Sequence, residues 1–242
     1  MLICQDEART FVTDSRLAAT LALVAGALNT AAFEAVGFFS ANMTGNVSSL
    51  SERLARSELP VAFFFLEIVC LFILGSAFST LLINQGRRHG IRSVYAINIL
   101  LEALLLMLLG WVEACFTALS SGTLMILSLS FLMGLQNAVV TRISNARVRT
   151  THVSGTATDI GIELAMLIDI VRRRESPEYA PVYLQRLLLH GATLTAFLLG
   201  GVGGIGLYRL TGEAFLLVIG ALLALLALLA LGSLCKARRQ RT

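Results

Sequence analysis
Six long apolar runs, at about residues 17–39, 61–83, 93–111, 122–140, 187–208 and 213–235, leave this chain little choice of environment. Each is close to the roughly 20 residues that an α-helix needs to cross about 30 Å of hydrocarbon. Backbone polar groups in a bilayer must be satisfied within the protein, which admits only helices and closed barrels. No series of alternating strands of about ten residues marks a barrel, so helices are expected. A hydrophobic fraction of 56%, a charged fraction of 14% and a mean hydropathy of +0.79 agree with an integral membrane protein rather than a solvated domain. Asp6, Glu7, Arg9 and Asp14 precede the first run, and no small-residue cleavage site follows a short apolar core. That run reads as a retained span, not a signal peptide.

Cations set the expected orientation. With both termini in the cytoplasm, sixteen of the nineteen cations lie inside, seven of them between the fourth and fifth spans, and only Arg53, Arg56 and Arg209 lie outside. The net charge of +4 comes from residues at span ends without interleaved aromatics. Membrane topology and anionic headgroups explain it, and nucleic-acid binding is not expected. Cys4, Cys70, Cys115 and Cys235 form no CxxC or Cys/His spacing, so neither a disulfide framework, a metal site nor another cofactor is indicated.

Two short polar stretches interrupt the apolar pattern: Asn42-Met43-Thr44-Gly45-Asn46 and His152-Val153-Ser154-Gly155-Thr156. An offset of 110 positions carries Thr44-Gly45 onto Ser154-Gly155 and Leu54-Ala55 onto Leu164-Ala165. Gly26-Ala27-Leu28-Asn29 corresponds to Gly134-Leu135-Gln136-Asn137 at an offset of 108, and Phe72-Ile73-Leu74-Gly75 to Phe197-Leu198-Leu199-Gly200 at 125. Residues 17–111 and 122–235 then form two halves of three spans each, and an odd number makes the halves antiparallel. The expected fold is an all-α transmembrane six-helix bundle, a 3+3 inverted repeat with polar helix breaks after spans one and four. Such repeats are common in secondary transporters. Residues 1–16 form a cytoplasmic N-terminal segment and 236–242 a basic cytoplasmic tail. Residues 157–174 form an amphipathic insert with Ile160, Leu164, Leu167, Ile168 and Val171 on one face, and Asp159, Glu163 and three arginines away from it.

A helix is expected just after each hydroxyl-glycine pair, where free N–H groups and the positive dipole end favour a carboxylate, phosphate or other anion. The plainer reading is that Thr44 and Ser154 cap those helices; the duplication favours a shared function. Antiparallel halves put the two motifs about 30 Å apart, on opposite membrane faces, unless each segment re-enters the bilayer. Arg147 and Arg149 oppose re-entry of the second.

Ionisable groups inside spans are costly and are functional suspects. Glu34, Glu67 and Glu102 are the candidate coupling carboxylates, Glu34 near an outer end and the other two in buried or cavity-facing places. Asn29, Asn98, Gln136 and Asn137 can hydrogen-bond between helices. His152, Ser154 and Asp159 are the residue types of a hydrolytic triad, but they share one loop with no strand-turn-helix elbow, so an enzyme is not expected. Gly200, Gly201, Gly203, Gly204 and Gly206 give the fifth span a close-contact face, either within one chain or between two in a homodimer. The sixth span carries no polar side chain from Phe215 to Leu231 and reads as lipid-facing scaffold.

The motif Asn42-Met43-Thr44-Gly45-Asn46, with Gly134-Leu135-Gln136-Asn137-Ala138 leading through Arg149-Thr150-Thr151-His152-Val153-Ser154-Gly155-Thr156 to Thr158-Asp159, resembles the YoaK-like family of small bacterial membrane proteins, a group of unknown function. The resemblance runs from about Leu17 to the final span. It implies a polytopic helical fold in the bacterial plasma membrane and no established substrate. That family's usual aspartate is Asn29 in this chain, and its threonine is Ser154, so the resemblance supplies no acid at the first position.

The sequence thus points to a small secondary transporter or permease of the bacterial inner membrane, moving a small molecule or an ion. Its site is expected around Asn29, Asn42, Thr44, Gly45, Asn46, Gln136, Asn137, Thr151, His152, Ser154, Gly155, Thr156 and Asp159. The alternative is a non-transporting protein that binds a lipid headgroup or protein partner through Arg172 to Arg174 and the arginines of the fourth connection.

Overall fold
The computed structural model describes residues 11–115 and 122–239, with 233–239 as backbone only. The described residues form helices and no strand. These are α1 (Phe11–Val36), α2 (Met43–Ala55), α3 (Leu59–Arg88), α4 (Val94–Cys115), α5 (Gly122–Ile143), α6 (Val153–Val171), α7 (Ala180–Thr211) and α8 (Phe215–Arg239). Most of the connection expected between the two halves, around Cys115 to Ser121, most of the 1–16 segment and the end of the basic tail fall outside the described residues.

Punctuation follows local chemistry. Pro60 and Pro181 sit in the first turns of α3 and α7, where a missing N–H costs nothing. Gly37 (φ +76°) and Gly212 (φ +54°) turn the chain after α1 and α7 in a backbone region that side chains disfavour. Several helices outrun the apolar runs: α1 begins at Phe11 and α3 ends at Arg88. Hydrogen bonding carries a helix past the hydrocarbon edge, so hydropathy alone ends the elements too early.

Five stretches are long and apolar enough to cross a membrane: Phe11–Val36, Leu59–Arg88, Val94–Cys115, Gly122–Ile143 and Pro177–Gly232. The last contains α7 and the start of α8, divided at Gly212. α1 lies along α7, α3 along α5 and α4 along α8, while α2 rests on α3 and α6 on α7. α1 and α5 also touch, and they carry much of the buried core through Leu17, Leu21, Leu28, Ile126, Leu129 and Met133.

Lipid tails are as apolar as leucine, so helix association in a bilayer depends on close packing at small residues. A Cβ on Gly26 would overlap the Phe197 carbonyl oxygen, and one on Gly134 would overlap that of Phe72. Likewise Gly75 abuts the Phe131 carbonyl and Gly200 that of Leu23. Gly26/Gly134 and Leu23/Phe131 are each 108 apart, and Phe72/Phe197 and Gly75/Gly200 are each 125 apart. One set of backbone contacts therefore occurs twice, at α1 with α7 and at α5 with α3. Gly204 also meets Ala27 of α1, so this glycine face is used within the chain.

Two expectations are corrected. α8 is more than lipid-facing scaffold, because Phe215, Leu216, Ile219, Leu223 and Ala227 are buried, on the side that meets α4. α6 starts at Val153, not 157, and its apolar residues Leu164, Ile168 and Val171 face outward while Glu163 is buried. In a bilayer the apolar stripe of a peripheral helix belongs to lipid, and the polar stripe turns inward.

Candidate functional site
Each polar break starts a helix, one residue earlier than the hydroxyl. Asn42 is the N-cap of α2, and its Oδ1 accepts from the Gly45 N–H at 3.1 Å. His152 is the N-cap of α6 and makes no side-chain cap bond. Gly45 and Gly155 leave room for these caps, since a Cβ on either would strike the Asn42 amide or the His152 ring. Thr44 and Ser154 therefore lie inside the first turns and do not cap them. Their hydroxyls are left free for other partners.

The asparagines behind the breaks act alike. Asn29 Oδ1 accepts from the Ala41 backbone N–H at 2.9 Å, and Asn137 Oδ1 accepts from the Thr151 hydroxyl at 2.9 Å. Each ties the segment entering a break to the central helix before it. Asn137 also donates through Nδ2 to the Met133 carbonyl at 2.8 Å, whereas Asn29 Nδ2 has no partner. Arg147 Nη1 to Asp14 Oδ2, at 3.2 Å, pins the second break to the start of α1.

Both breaks line one cavity of about 800 Å³. Of the expected residues, Asn29, Asn42, Thr44, Gly45, Asn137, Thr151, His152 and Ser154 line it. Asn46 does not: it is buried, its Nδ2 donating to the Phe39 carbonyl at 3.5 Å. Gln136 is buried on another face of α5 and donates to Glu102. Gly155, Thr156 and Asp159 line a neighbouring cavity of about 380 Å³ with Arg147 and His190, while His152 and Arg149 border both. Arg142 and Arg149, which the sequence reading gave only to the headgroup- or partner-binding alternative, line the larger cavity too, and the reading missed Ser76, Thr80, Thr141 and the walls Phe39, Phe72 and Phe197. Ser76 and Thr80, one helical turn apart in an apolar run, were the available signal.

None of the three suspected carboxylates lines either cavity. Glu34 Oε1 pairs with Arg209 Nη2 at 2.7 Å. Glu67, expected in a buried or cavity-facing place, is instead exposed on α3. Glu102 is fully buried and accepts from Gln136 Nε2 at 2.9 Å, leaving Glu102 Oε2 and Gln136 Oε1 without partners. A further polar contact joins α6 to α7: His190 Nδ1 lies 2.9 Å from Glu163 Oε1, with Asp159 Oδ2 4.0 Å from Nε2. The periodicity of α6 places Glu163 away from the apolar face and gives no sign of a partner on α7.

Long apolar helices, packed around a cavity that both polar breaks line, define a multi-pass helical membrane protein. The chain belongs to the family described as "Protein of unknown function (DUF1275)", whose profile matches residues 17–229. It is similar to "UPF0700 transmembrane protein YoaK" of Bacillus subtilis (strain 168), with 25% identity over 190 residues, covering 77% of this chain and 80% of that protein. No solved structure matches it.

Proposed function
We propose that this protein is a small permease-like carrier of the bacterial plasma membrane, with both termini cytoplasmic and its substrate site in the larger cavity. The observation that carries the reading is the meeting of Asn42–Gly45 and Thr151–Ser154, from opposite halves of the chain, on one cavity. We further propose that the chain crosses six times as a 3+3 inverted repeat, α1, α3 and α4 answering to α5, α7 and α8. The duplicated glycine contacts and the matched Asn29–Ala41 and Asn137–Thr151 bonds support it. The helices α2 and α6 are then partial elements whose first turns face the cavity, and irregular backbone at depth is tolerated where it lines such a space. Glu102, joined to Gln136 next to the cavity-lining Asn137, is our choice of coupling carboxylate among the three. The protein does not act as an enzyme in this reading.

The test is a stability screen of purified protein against small solutes, followed by uptake of any stabilising solute into proteoliposomes. Thr44→Val and Ser154→Val together are expected to abolish the stabilisation and cut uptake at least tenfold, with little loss of fold because neither hydroxyl is bonded. Replacing Arg172, Arg173 and Arg174 by Gln should leave both intact. The opposite pattern, or a solute that binds without crossing, would favour the headgroup- or partner-binding alternative.

A further inference from the structure
We propose that the larger cavity takes an oxyanion, a carboxylate or phosphate carried on an apolar body; this rests on the reading of that cavity as a ligand site.

The charge of the lining is one-sided. Arg142 and Arg149 contribute to it, and no aspartate or glutamate does. Arg149 is exposed and forms no ion pair among the described residues, while Arg142 gives Nη2 to Asn84 Oδ1 at 2.9 Å and keeps the rest of its fork. A cationic ligand would meet two guanidinium groups and no counter-charge. A planar guanidinium offers paired N–H groups spaced to match two oxygens of a carboxylate or phosphate.

The neutral groups are also weighted toward donation. Asn29 is only 7% exposed, and its carbonyl is taken by Ala41, so its remaining capacity in the cavity it lines is an unpartnered N–H2. That donor opens on the cavity with no acceptor from the described residues, so an anion there can take its hydrogen bond. The first turn of α6, uncapped by His152, adds open backbone N–H groups and the positive end of a 19-residue helix. The Thr44 and Ser154 hydroxyls stand beside them.

Phe39, Phe72 and Phe197 supply the apolar remainder of the wall. A bare inorganic ion would leave those rings facing water, whereas an oxyanion with an apolar body meets both parts. The body can belong to a free organic acid or to a lipid, and the two sources separate by experiment.

Thermal unfolding in neutral detergent is measured with benzoate, benzyl alcohol and benzylamine, which share a ring and differ in charge, and separately with phosphatidylglycerol micelles. Benzoate is expected to stabilise and the other two ring compounds not to. Arg149→Gln should weaken the benzoate effect at least tenfold while leaving the fold untouched, and Arg172→Gln should not weaken it. Asn29→Asp keeps the acceptor for Ala41 but places a carboxylate in the wall, and it should abolish the effect. Stabilisation by phosphatidylglycerol alone, lost in Arg149→Gln, assigns the oxyanion to a lipid. The proposal is overturned if benzylamine or benzyl alcohol stabilises as well as benzoate, if Arg149→Gln changes nothing, or if neither anionic arm has an effect. Benzoate that binds yet does not cross proteoliposomes removes the carrier reading and leaves the oxyanion site standing. A neutral or cationic solute that binds and crosses does the reverse.

Discussion

Gly26→Ala and Gly134→Ala each destabilise the protein by about 3 kcal/mol or more, the upper end of the range for overpacking, while Gly203→Ala and Gly206→Ala do not. At the first two positions the new methyl group would overlap a backbone carbonyl, of Phe197 or of Phe72, which cannot move aside as a flexible side chain can. The helix pairs α1 with α7 and α5 with α3 must separate, and each loses contact along its length. Gly203 and Gly206 lie on the same α7 with nothing within 4 Å of an added Cβ. There the gain in helix propensity, up to about 1 kcal/mol, is unopposed. Chemical denaturation in mixed micelles, followed by circular dichroism, reads all four. Equal effects at the four positions would mean that the close approaches do not exist.

The second large effect concerns the buried pair behind the cavity. Glu102→Leu removes the acceptor for Gln136 Nε2 in a fully buried place, leaving both ends of that amide without partners. Gln136 Oε1 has no partner to begin with, so the change orphans one further buried group, Nε2, and a loss of about 1–3 kcal/mol is expected. Adding Gln136→Leu removes the orphan and should recover most of the loss, since apolar replacement of both partners of a buried interaction is often close to neutral. Glu102→Gln should hold stability, because its amide presents an N–H to the orphaned Gln136 Oε1 while its carbonyl still accepts from Nε2. Additive losses in the double variant would show that the two side chains do not interact.

The helical membrane architecture was legible in the sequence because membrane helices announce themselves by length and hydropathy, and the Gly-x-x-Asn and hydroxyl-glycine motifs recur at offsets of 108 and 110. The Asn29 and Asn137 pairing is an example: each side-chain carbonyl accepts from the segment entering a break, Asn29 from the Ala41 backbone and Asn137 from the Thr151 hydroxyl. That both breaks border one cavity was not legible. Arg149 looked like an obstacle to burial of the second motif, yet it borders the cavity, where a long side chain can reach polar space. The burial of Glu163 on α6 was not legible, because periodicity separates the apolar from the polar face and does not say which packs on a neighbouring helix. His190 was passed over for a related reason. It lies 27 residues from Glu163 and in another helix, so its partner emerges only from packing.

The central claim is that the two polar breaks, distant in sequence, share one cavity. Spin labels at Thr44→Cys and Ser154→Cys, in a background with the native cysteines replaced by serine, measure it directly by electron paramagnetic resonance in lipid nanodiscs. A distance well below half of the roughly 30 Å hydrocarbon thickness is expected. A separation equal to or larger than that thickness, with both labels in bulk water, would place the breaks on opposite faces and contradict the shared site.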